Sequence, residues 1–389
     1  MAKRSNGEGT IFKRKDGKWC GSKFILLADG TAKRKYVYGK TQKEVKEKLN
    51  NLGNYKLLNE AEDMLLQEWM LLWLDKYKKM RIKQTTYDNY KVNINTHVLG
   101  SSIGMTKLSE LTTGILQTFY NEKLEGTTEK RKLSQRTVAY LHTIIGGALM
   151  QAYRNGLIVK NVNEFTTLPK KQKSEIVPLS LEEVKKVLEV AKQFDIYPLI
   201  VVEIFTGMRK GEILGLKWED VDFENKVLHV RNNLCRVQNQ NPNDGRKTKL
   251  VLMSPKTRKS IRTIPLSSEA IRALKHQKIR QNESKLKYGE LYKDKNMVFA
   301  KENGDFEDPR ELLRKFHKLL EEAGVHKCRF HDLRHTFASL LINNGESIKV
   351  IQELLGHSSI TTTMDIYSHV SEEKKEKTVN LLEQLVKSS

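Results

Sequence analysis

The sequence predicts a multidomain α+β protein. It has a small three-stranded sheet plus a helix at the N-terminus, a helical bundle in the middle, and a mixed, mainly helical C-terminal domain with a small antiparallel sheet. Three observations predict this. Asp16-Gly17 and Asp29-Gly30 punctuate β-rich runs between Gly9 and Tyr38, and Asp-Gly between such runs is a strong hairpin signal. Leu65, Trp69, Leu72, Trp73 and Tyr77 then recur at helical spacing. The charged stretch KKQKSEIVP, ending at Pro178, marks a break before a second folded region. A chain of 389 residues is long enough for two or three such domains.

Residues 1–60 form the first domain. After the three strands, Thr41 caps a helix, with Glu44 three residues on as in a capping box. The sheet carries Lys13, Arg14, Lys15, Lys18, Lys23, Lys33, Arg34 and Lys35, with Trp19, Tyr36 and Tyr38 among them. Basic residues interleaved with aromatics on a small sheet suit insertion into a DNA groove. The plainer alternative is a solvated sheet face.

Residues 61–169 turn helical. The Leu65–Tyr77 stripe is expected to be core, not a base-stacking surface. Further helices are expected near Thr85–Val98, Thr112–Glu122 and Ser134–Asn155, making a bundle of four or five. Residues 170–178 are the linker. From residue 179 to 389 the pattern is mixed. Ser180 and Glu183 make a second capping box that opens a helix. Helices run to about Trp218, strands from Val227 to Pro265, and helices again to the C-terminus. There is no internal repeat and no low-complexity tract.

Composition narrows the partners. The formal charge is +22, and a globular chain this basic usually meets a polyanion, with nucleic acid the first candidate. Charge alone would also fit a generally basic protein, but its distribution is uneven: Met1 to Lys56 holds fifteen Lys/Arg against five Asp/Glu. Cys20, Cys235 and Cys328 lie far apart with no CxxC spacing, which fits a reducing cytosol rather than a disulfide framework or zinc site. The N-terminus has no apolar signal region, and the longest apolar run, near Tyr197 to Phe205, is far too short for a bilayer. A soluble intracellular protein with no membrane partner is expected.

The residues that carry chemistry lie in the last 180 or so positions. They are Arg209 in TGMRKGEILGLKW, Lys256 in SPKTRKSIRTIPL, His331 and Arg334 in HDLRHTF, His357 in LLGHSS, and Tyr367 in TTTMDIYSH. Two arginines, a lysine and two histidines can hold one phosphodiester, and a tyrosine can attack it. As phosphorus becomes five-coordinate its non-bridging oxygens gain charge, and fixed cations must sit against them. Arginine suits this because its planar fork donates two parallel bonds and stays charged. Arg209 and Arg334 are the expected forks. Glu212 lies three residues after Arg209, on the same helical face, and could orient it, although taken alone the pair reads as an ordinary surface ion pair. A free tyrosine has a pKa near 10, so neighbouring guanidiniums ease its ionisation. His331 is expected to accept or share that proton, and His357 to donate to a non-bridging oxygen. Lys256 is the expected general acid for the leaving 5′-oxygen, with Lys259 its rival.

HDLRH also has two histidines four apart, the spacing of a metalloprotease helix. That motif wants Glu, whereas here it is Asp332; Arg334 would sit beside the metal, and no obvious third ligand follows. A zinc hydrolase is therefore set aside. No metal or other cofactor is expected, and His335 is assigned a supporting place behind the site.

The segments TGMRKGEILGLKWED, SPKTRKSIRTIPL, HDLRHTFASLLI and LLGHSSITTTMDIYSHV resemble the four signature segments of tyrosine recombinases of the phage integrase family, in order and at plausible spacing. The resemblance implies that Arg209, Lys256, His331, Arg334 and His357 activate the phosphate and that Tyr367 is the nucleophile. It covers the whole chain. The middle is similar to the family's core-binding domain, and the N-terminal piece to the arm-binding domain of integrases from temperate phages and conjugative transposons. The tail SEEKKEKTVNLLEQLVKSS places Val379, Leu382, Leu385 and Val386 on one side of a short helix; it could fold back on its own domain, but in this family such a helix commonly docks on a neighbouring protomer, and docking in trans is the expectation.

The function so implied is a site-specific integrase. It would bind double-stranded DNA at arm and core sites, assemble as a homo-tetramer through the C-terminal helix, and exchange strands through a 3′-phosphotyrosine and a Holliday junction. It would need neither ATP nor metal. A small basic excision factor and a host DNA-bending protein are the implied accessories, and the bacterial cytoplasm, at the nucleoid, the implied place. A type IB topoisomerase shares the chemistry, and an idle DNA-binding regulator shares the scaffold; both remain alternatives.

Overall fold

The computed structural model describes residues 10–14, 17–26, 32–49, 64–126, 131–170, 177–239, 241, 245–254, 261–357, 359 and 364. The chain divides into two units, residues 1–173 and 174–389.

In the first unit, β1 (Thr10–Lys13), β2 (Trp19–Leu26) and β3 (Ala32–Gly39) form an antiparallel sheet in the order β1-β2-β3. Gly17, with φ 82°, supplies the left-handed turn residue of the first hairpin. The second expected turn, at Asp29-Gly30, lies outside the described residues. Helix α1 (42–49) packs on one sheet face. A side chain at Gly21 would meet Leu49 Cδ1 at 2.5 Å and Val45 Cγ1 at 2.7 Å, so glycine there is what lets the helix approach. Thr41 Oγ1 accepts from the Glu44 amide as expected, but the Glu44 carboxylate takes the amide of Lys40, one residue earlier than a capping box requires.

The helical middle contains α2 (Leu66–Trp73), α3 (Gln84–Asn93), α4 (Thr113–Glu125) and α5 (Gln135–Arg154). Both α2 and α3 continue through a wider π turn, at Leu74–Lys78 and Ile94–Val98. Trp69 and Trp73 are buried, and the Trp69 indole donates to the Ala148 carbonyl at 2.8 Å, so the stripe is core as expected. Its centre is displaced from the expectation. Leu66, Met70 and Leu74 are the buried partners of the two tryptophans, while Leu65 stands outside the helix start.

In the second unit, α6 (Leu181–Ala191) opens on the expected Ser180–Glu183 capping box. The apolar run becomes α7 (Tyr197–Thr206), a core helix. The short α8 (Lys210–Leu214) follows. Strands β4 (Val221–Asp222), β5 (Val227–Val230) and β8 (Arg262–Pro265) make one antiparallel sheet, and β6 (Asn233–Gln238) with β7 (Thr248–Met253) another. Then come α9 (Ser268–Tyr288), α10 (Pro309–Glu322), α11 (Asp332–Asn343) and α12 (Ile348–Leu355). Ser267, Asp308 and Ser347 cap three of these helices with side-chain oxygens. No described helix is long and apolar enough to cross a membrane. The mixed α+β architecture is the one expected.

Candidate active site

The site begins where α7 stops. Gly207 ends that helix with φ 58°, its amide bonded to the Glu203 carbonyl at 2.8 Å. A side chain at 207 would also lie 2.7 Å from Phe337 Cδ1 and 2.9 Å from Leu355 Cδ2. Backbone angle and space both demand glycine here.

The turn delivers Arg209 to the start of α8. Arg209 stands at the N-cap, in extended backbone, rather than on the helical face it was expected to share with Glu212. Glu212 reaches back across the helix start. Its Oε1 accepts from the Arg209 guanidinium at 2.7 Å, and its Oε2 from the Arg209 amide at 3.0 Å. The Glu212 side chain is 3% exposed and that of Arg209 35%, so this is not the ordinary surface pair that the two residues alone suggested. Arg262, at the start of β8, donates Nη2 to the same Oε2 at 3.0 Å. Burial acts to raise the Glu212 carboxyl, but Arg262 and then Arg209 outweigh it and hold it below the usual range.

The first turn of α11 supplies the next two residues. His331 is its N-cap and remains partly exposed. Arg334 is 1% exposed. It donates Nη1 to the Gly207 carbonyl at 2.7 Å and Nη2 to the Leu355 carbonyl at 2.6 Å. At the neighbouring carbonyls, Arg262 Nε reaches Leu354 O at 2.6 Å and Arg209 Nη2 reaches Gly356 O at 3.4 Å. Three successive carbonyls at the end of α12 thus receive three different guanidiniums. A helix C-terminus leaves its last carbonyls without intrahelical partners and carries partial negative charge, so it attracts cations.

That same end positions His357. Gly356 takes the left-handed conformation, φ 65°. The His357 amide donates to Gln352 O, and Gln352 Nε2 donates back to His357 O, both at 3.1 Å. The ring sits among positive charges. Burial, then Arg334 and Arg209, push His357 down to about 3. Partial burial, then His335, Arg334 and Arg209, push His331 down to about 4. Both imidazoles are therefore neutral near pH 7 in the free protein. Burial, then Arg209 and Arg262, lower Arg334 to about 9, which still leaves it cationic at neutral pH.

The structure thus brings together Arg209, His331, Arg334 and His357, four of the six expected residues. Lys256, its rival Lys259 and Tyr367 lie outside the described residues, as does the C-terminal tail. His335 is half-buried behind His331, with ring centroids 5.1 Å apart and planes at 83°. Its Nδ1 is buried with no hydrogen-bond partner among the described residues. Both Asp332 oxygens accept hydrogen bonds from Arg329. Among the described residues no group of three or more His, Cys, Asp or Glu could hold a metal.

The N-terminal basic set is divided by the sheet. Strand register puts Phe12, Cys20, Tyr38, Ser22, Tyr36 and Arg34 on the face away from α1. Arg34 lies over the Tyr36 ring at 5.8 Å, and Arg14 over Tyr38 at 5.4 Å, with both tyrosines half-exposed. Lys13, Trp19 and Lys35 fall on the opposite side, and Lys18 in the turn. Lys23 and Lys33 occupy strand positions, and Lys15 lies outside the described residues.

Two residues of the site escaped the sequence reading. Arg262 was one of four basic residues in SPKTRKSIRTIPL, and nothing in that string separates them. Glu203 had a signal: it is the single charge inside an apolar run. It is fully buried, and neither carboxyl oxygen has a hydrogen-bond partner among the described residues. Burial, reinforced by Glu212 and opposed by Arg334 and Arg262, raises it well above the usual carboxylate range.

Comparison with known proteins bears on the chain as a whole. The model of the phage integrase family matches residues 178–374, and that of the phage integrase N-terminal SAM-like domain residues 65–124. A tyrosine recombinase XerC-like protein of Caldanaerobacter subterraneus subsp. tengcongensis is 35% identical over 366 residues, covering 92% of this chain and 93% of its own. Among solved structures, the Tn1549 transposon integrase in complex with a circular intermediate DNA superposes with TM-score 0.67 at 21% identity, over 82% of this chain and 99% of that one. A lambda integrase tetramer bound to a Holliday junction gives TM-score 0.58 at 17% identity, over 95% and 99%. With matched motifs, a matched fold and a relative along nearly its whole length, the chain belongs to the phage integrase family, the site-specific tyrosine recombinases that integrate mobile elements.

Proposed function

We propose that this recombinase cuts with Tyr367 and holds the scissile phosphate with Arg209, Arg334, His331 and His357. The phenol oxygen of Tyr367 attacks phosphorus and the bond to the 5′-oxygen breaks. The products are a 3′-phosphotyrosine and a free 5′-hydroxyl, so the energy of the broken ester is kept for rejoining. Neutral His331 can take or share the phenol proton, and neutral His357 can donate one N–H to a non-bridging oxygen. The two guanidiniums meet the charge that grows on those oxygens. Lys256 returns a proton to the leaving oxygen.

One observation supports this reading above the others: Arg209, Arg334 and His357 converge on the C-terminal turn of α12, where backbone carbonyls hold both guanidiniums and a backbone bond fixes the His357 main chain. Donors fixed beforehand need no reorganisation as charge develops.

Around this chemistry we place residues 1–60 on arm-site DNA, residues 61–169 on core-site DNA, residues 170–178 as the linker and residues 179–389 as the catalytic domain. Four protomers, joined through the tail SEEKKEKTVNLLEQLVKSS, exchange strands through a Holliday junction; a lambda integrase of similar fold has been solved as a tetramer bound to such a junction. A small basic excision factor and a host DNA-bending protein assist, in the bacterial cytoplasm.

The test is single-turnover cleavage of a nicked core-site duplex. The natural chain should form a covalent protein–DNA adduct, and Tyr367→Phe should bind the duplex but form none. An adduct from Tyr367→Phe would move the nucleophile elsewhere. No adduct from the natural chain on its own core site would favour an idle regulator.

A further inference from the structure

Arg262 lies outside the expected set of phosphate-holding residues, yet it touches what holds two of them. It opens β8, where the antiparallel register fixes it opposite Val230 of β5. Its side chain is 5% exposed. Nη2 donates to Glu212 Oε2 at 3.0 Å, and Glu212 in turn grips Arg209 at both amide and guanidinium. Nε donates to the Leu354 carbonyl at 2.6 Å, first of the three carbonyls that lead into the Gly356–His357 turn. A guanidinium is a rigid plane with donors at fixed separation. Two bonds from one such plane set the distance between Glu212 and the end of α12.

We propose that Arg262 is a positioning residue for strand cleavage, fixing Arg209 through Glu212 and His357 through the α12 terminus so that both face one phosphate. It does this without touching DNA. The inference rests on the reading of Arg209 and His357 as phosphate-holding residues. Stability alone is a poor reason for such a group. A buried ion pair is often no better for the fold than apolar side chains of equal volume. Along the sheet its neighbours are apolar: Val230 lies opposite it and Ile264 two residues on, both buried in the core of this unit. What the pair supplies beyond apolar packing is direction, and small misplacements of reacting groups are expensive in rate.

A second route is open in principle, because Arg262 follows the segment containing Lys256. The experiment separates the two. Full-length Arg262→Lys, which keeps the buried charge but not the planar fork, is compared with Glu212→Gln, the double variant and Arg209→Lys. Single-turnover cleavage is measured at saturating protein on a nicked core duplex, with and without sulfur at the 5′-bridging position. Urea unfolding confirms that each protein is folded, and Arg262→Gln serves as a second substitution if the lysine variant is not.

The expected result is cleavage slowed about tenfold or more for Arg262→Lys, with core-site affinity within about twofold of the natural chain. The double variant should be no slower than its slower parent, because residues acting in one chain are not additive. Bridging sulfur, whose thiolate leaves without a proton, should not restore the rate. Arg262→Lys at the natural rate, effects that multiply, a loss confined to affinity, or rescue by sulfur would each overturn the proposal. Slow Arg209→Lys beside normal Arg262→Lys would sink only the positioning role, whereas normal Arg209→Lys would sink the phosphate reading beneath it.

Discussion

Arg334 is tied to Leu355 by a 2.6 Å bond from Nη2 to the backbone carbonyl, from a side chain almost closed to solvent. Its neighbour in the site, Arg209, reaches the next carbonyl only at 3.4 Å and is 35% exposed. The two arginines share a proposed role at the phosphate but not a structural setting. Arg334 also binds the Gly207 carbonyl and so joins α7, α11 and α12.

That difference predicts separable effects. Lysine at either position should lower cleavage by about 10²–10³, the usual cost of one preorganised donor. Arg334→Lys should also lower the unfolding midpoint, because a single ammonium cannot serve carbonyls on two elements. Arg209→Lys, which keeps a charge beside Glu212 and lies one-third exposed, should lower it less. Cleavage assays beside urea titrations check both, and equal destabilisation by the two would contradict the assignment.

The histidines predict a slope in acid. His331 and His357 are held at about 4 and about 3, below their ordinary 6.5. Below pH 6.5 the unfolded chain binds protons that the native state refuses. Stability should therefore be complete above that pH and decline as pH falls toward 4. His357→Gln should lose less stability between pH 7 and pH 5 than the natural chain. Urea midpoints at the two pH values measure this; parallel losses would place the acid sensitivity elsewhere.

Glu203 predicts the opposite slope. Its folded carboxyl is raised, so the native state binds a proton that the unfolded chain has released. Its contribution should become steadily less favourable as pH rises from the ordinary carboxyl range toward the raised value. Glu203→Leu removes this burden and should gain stability relative to the natural chain between pH 5 and pH 8. A constant difference across that range would mean that Glu203 does not titrate as its burial requires.

The split basic sheet predicts unequal contributions to arm binding. Arg34 and Tyr36 lie on the face that α1 leaves open, and Lys35 on the covered side. Arg34→Ala and Tyr36→Ala should each weaken arm-duplex binding about tenfold, within the range of a lost stacking contact. Lys35→Ala should change it by less. Gel shifts at two salt concentrations report this, and Arg34→Ala should also reduce the salt slope by about one ion. A larger loss from Lys35→Ala would mean that DNA meets the other face.

The sequence by itself determined the family and the mixed α+β class, and it named the residues proposed to hold the phosphate. Each signal was local. Asp-Gly turns, capping boxes and apolar periods act over a few neighbours, and the four motifs keep their chemistry in short strings such as HDLRH. Tertiary structure decided what those strings could not contain. Glu212 became a buried bridge because Arg262, fifty positions away, closes on its second oxygen. Arg334 turned inward because Gly207 and Leu355 present carbonyls to it from two other helices. The neutral state of His331 and His357 follows from burial and from cations that distant segments bring near. Propensity and periodicity are short-range properties of the chain, whereas burial, charge coupling and the satisfaction of helix-end carbonyls arise only when remote segments meet.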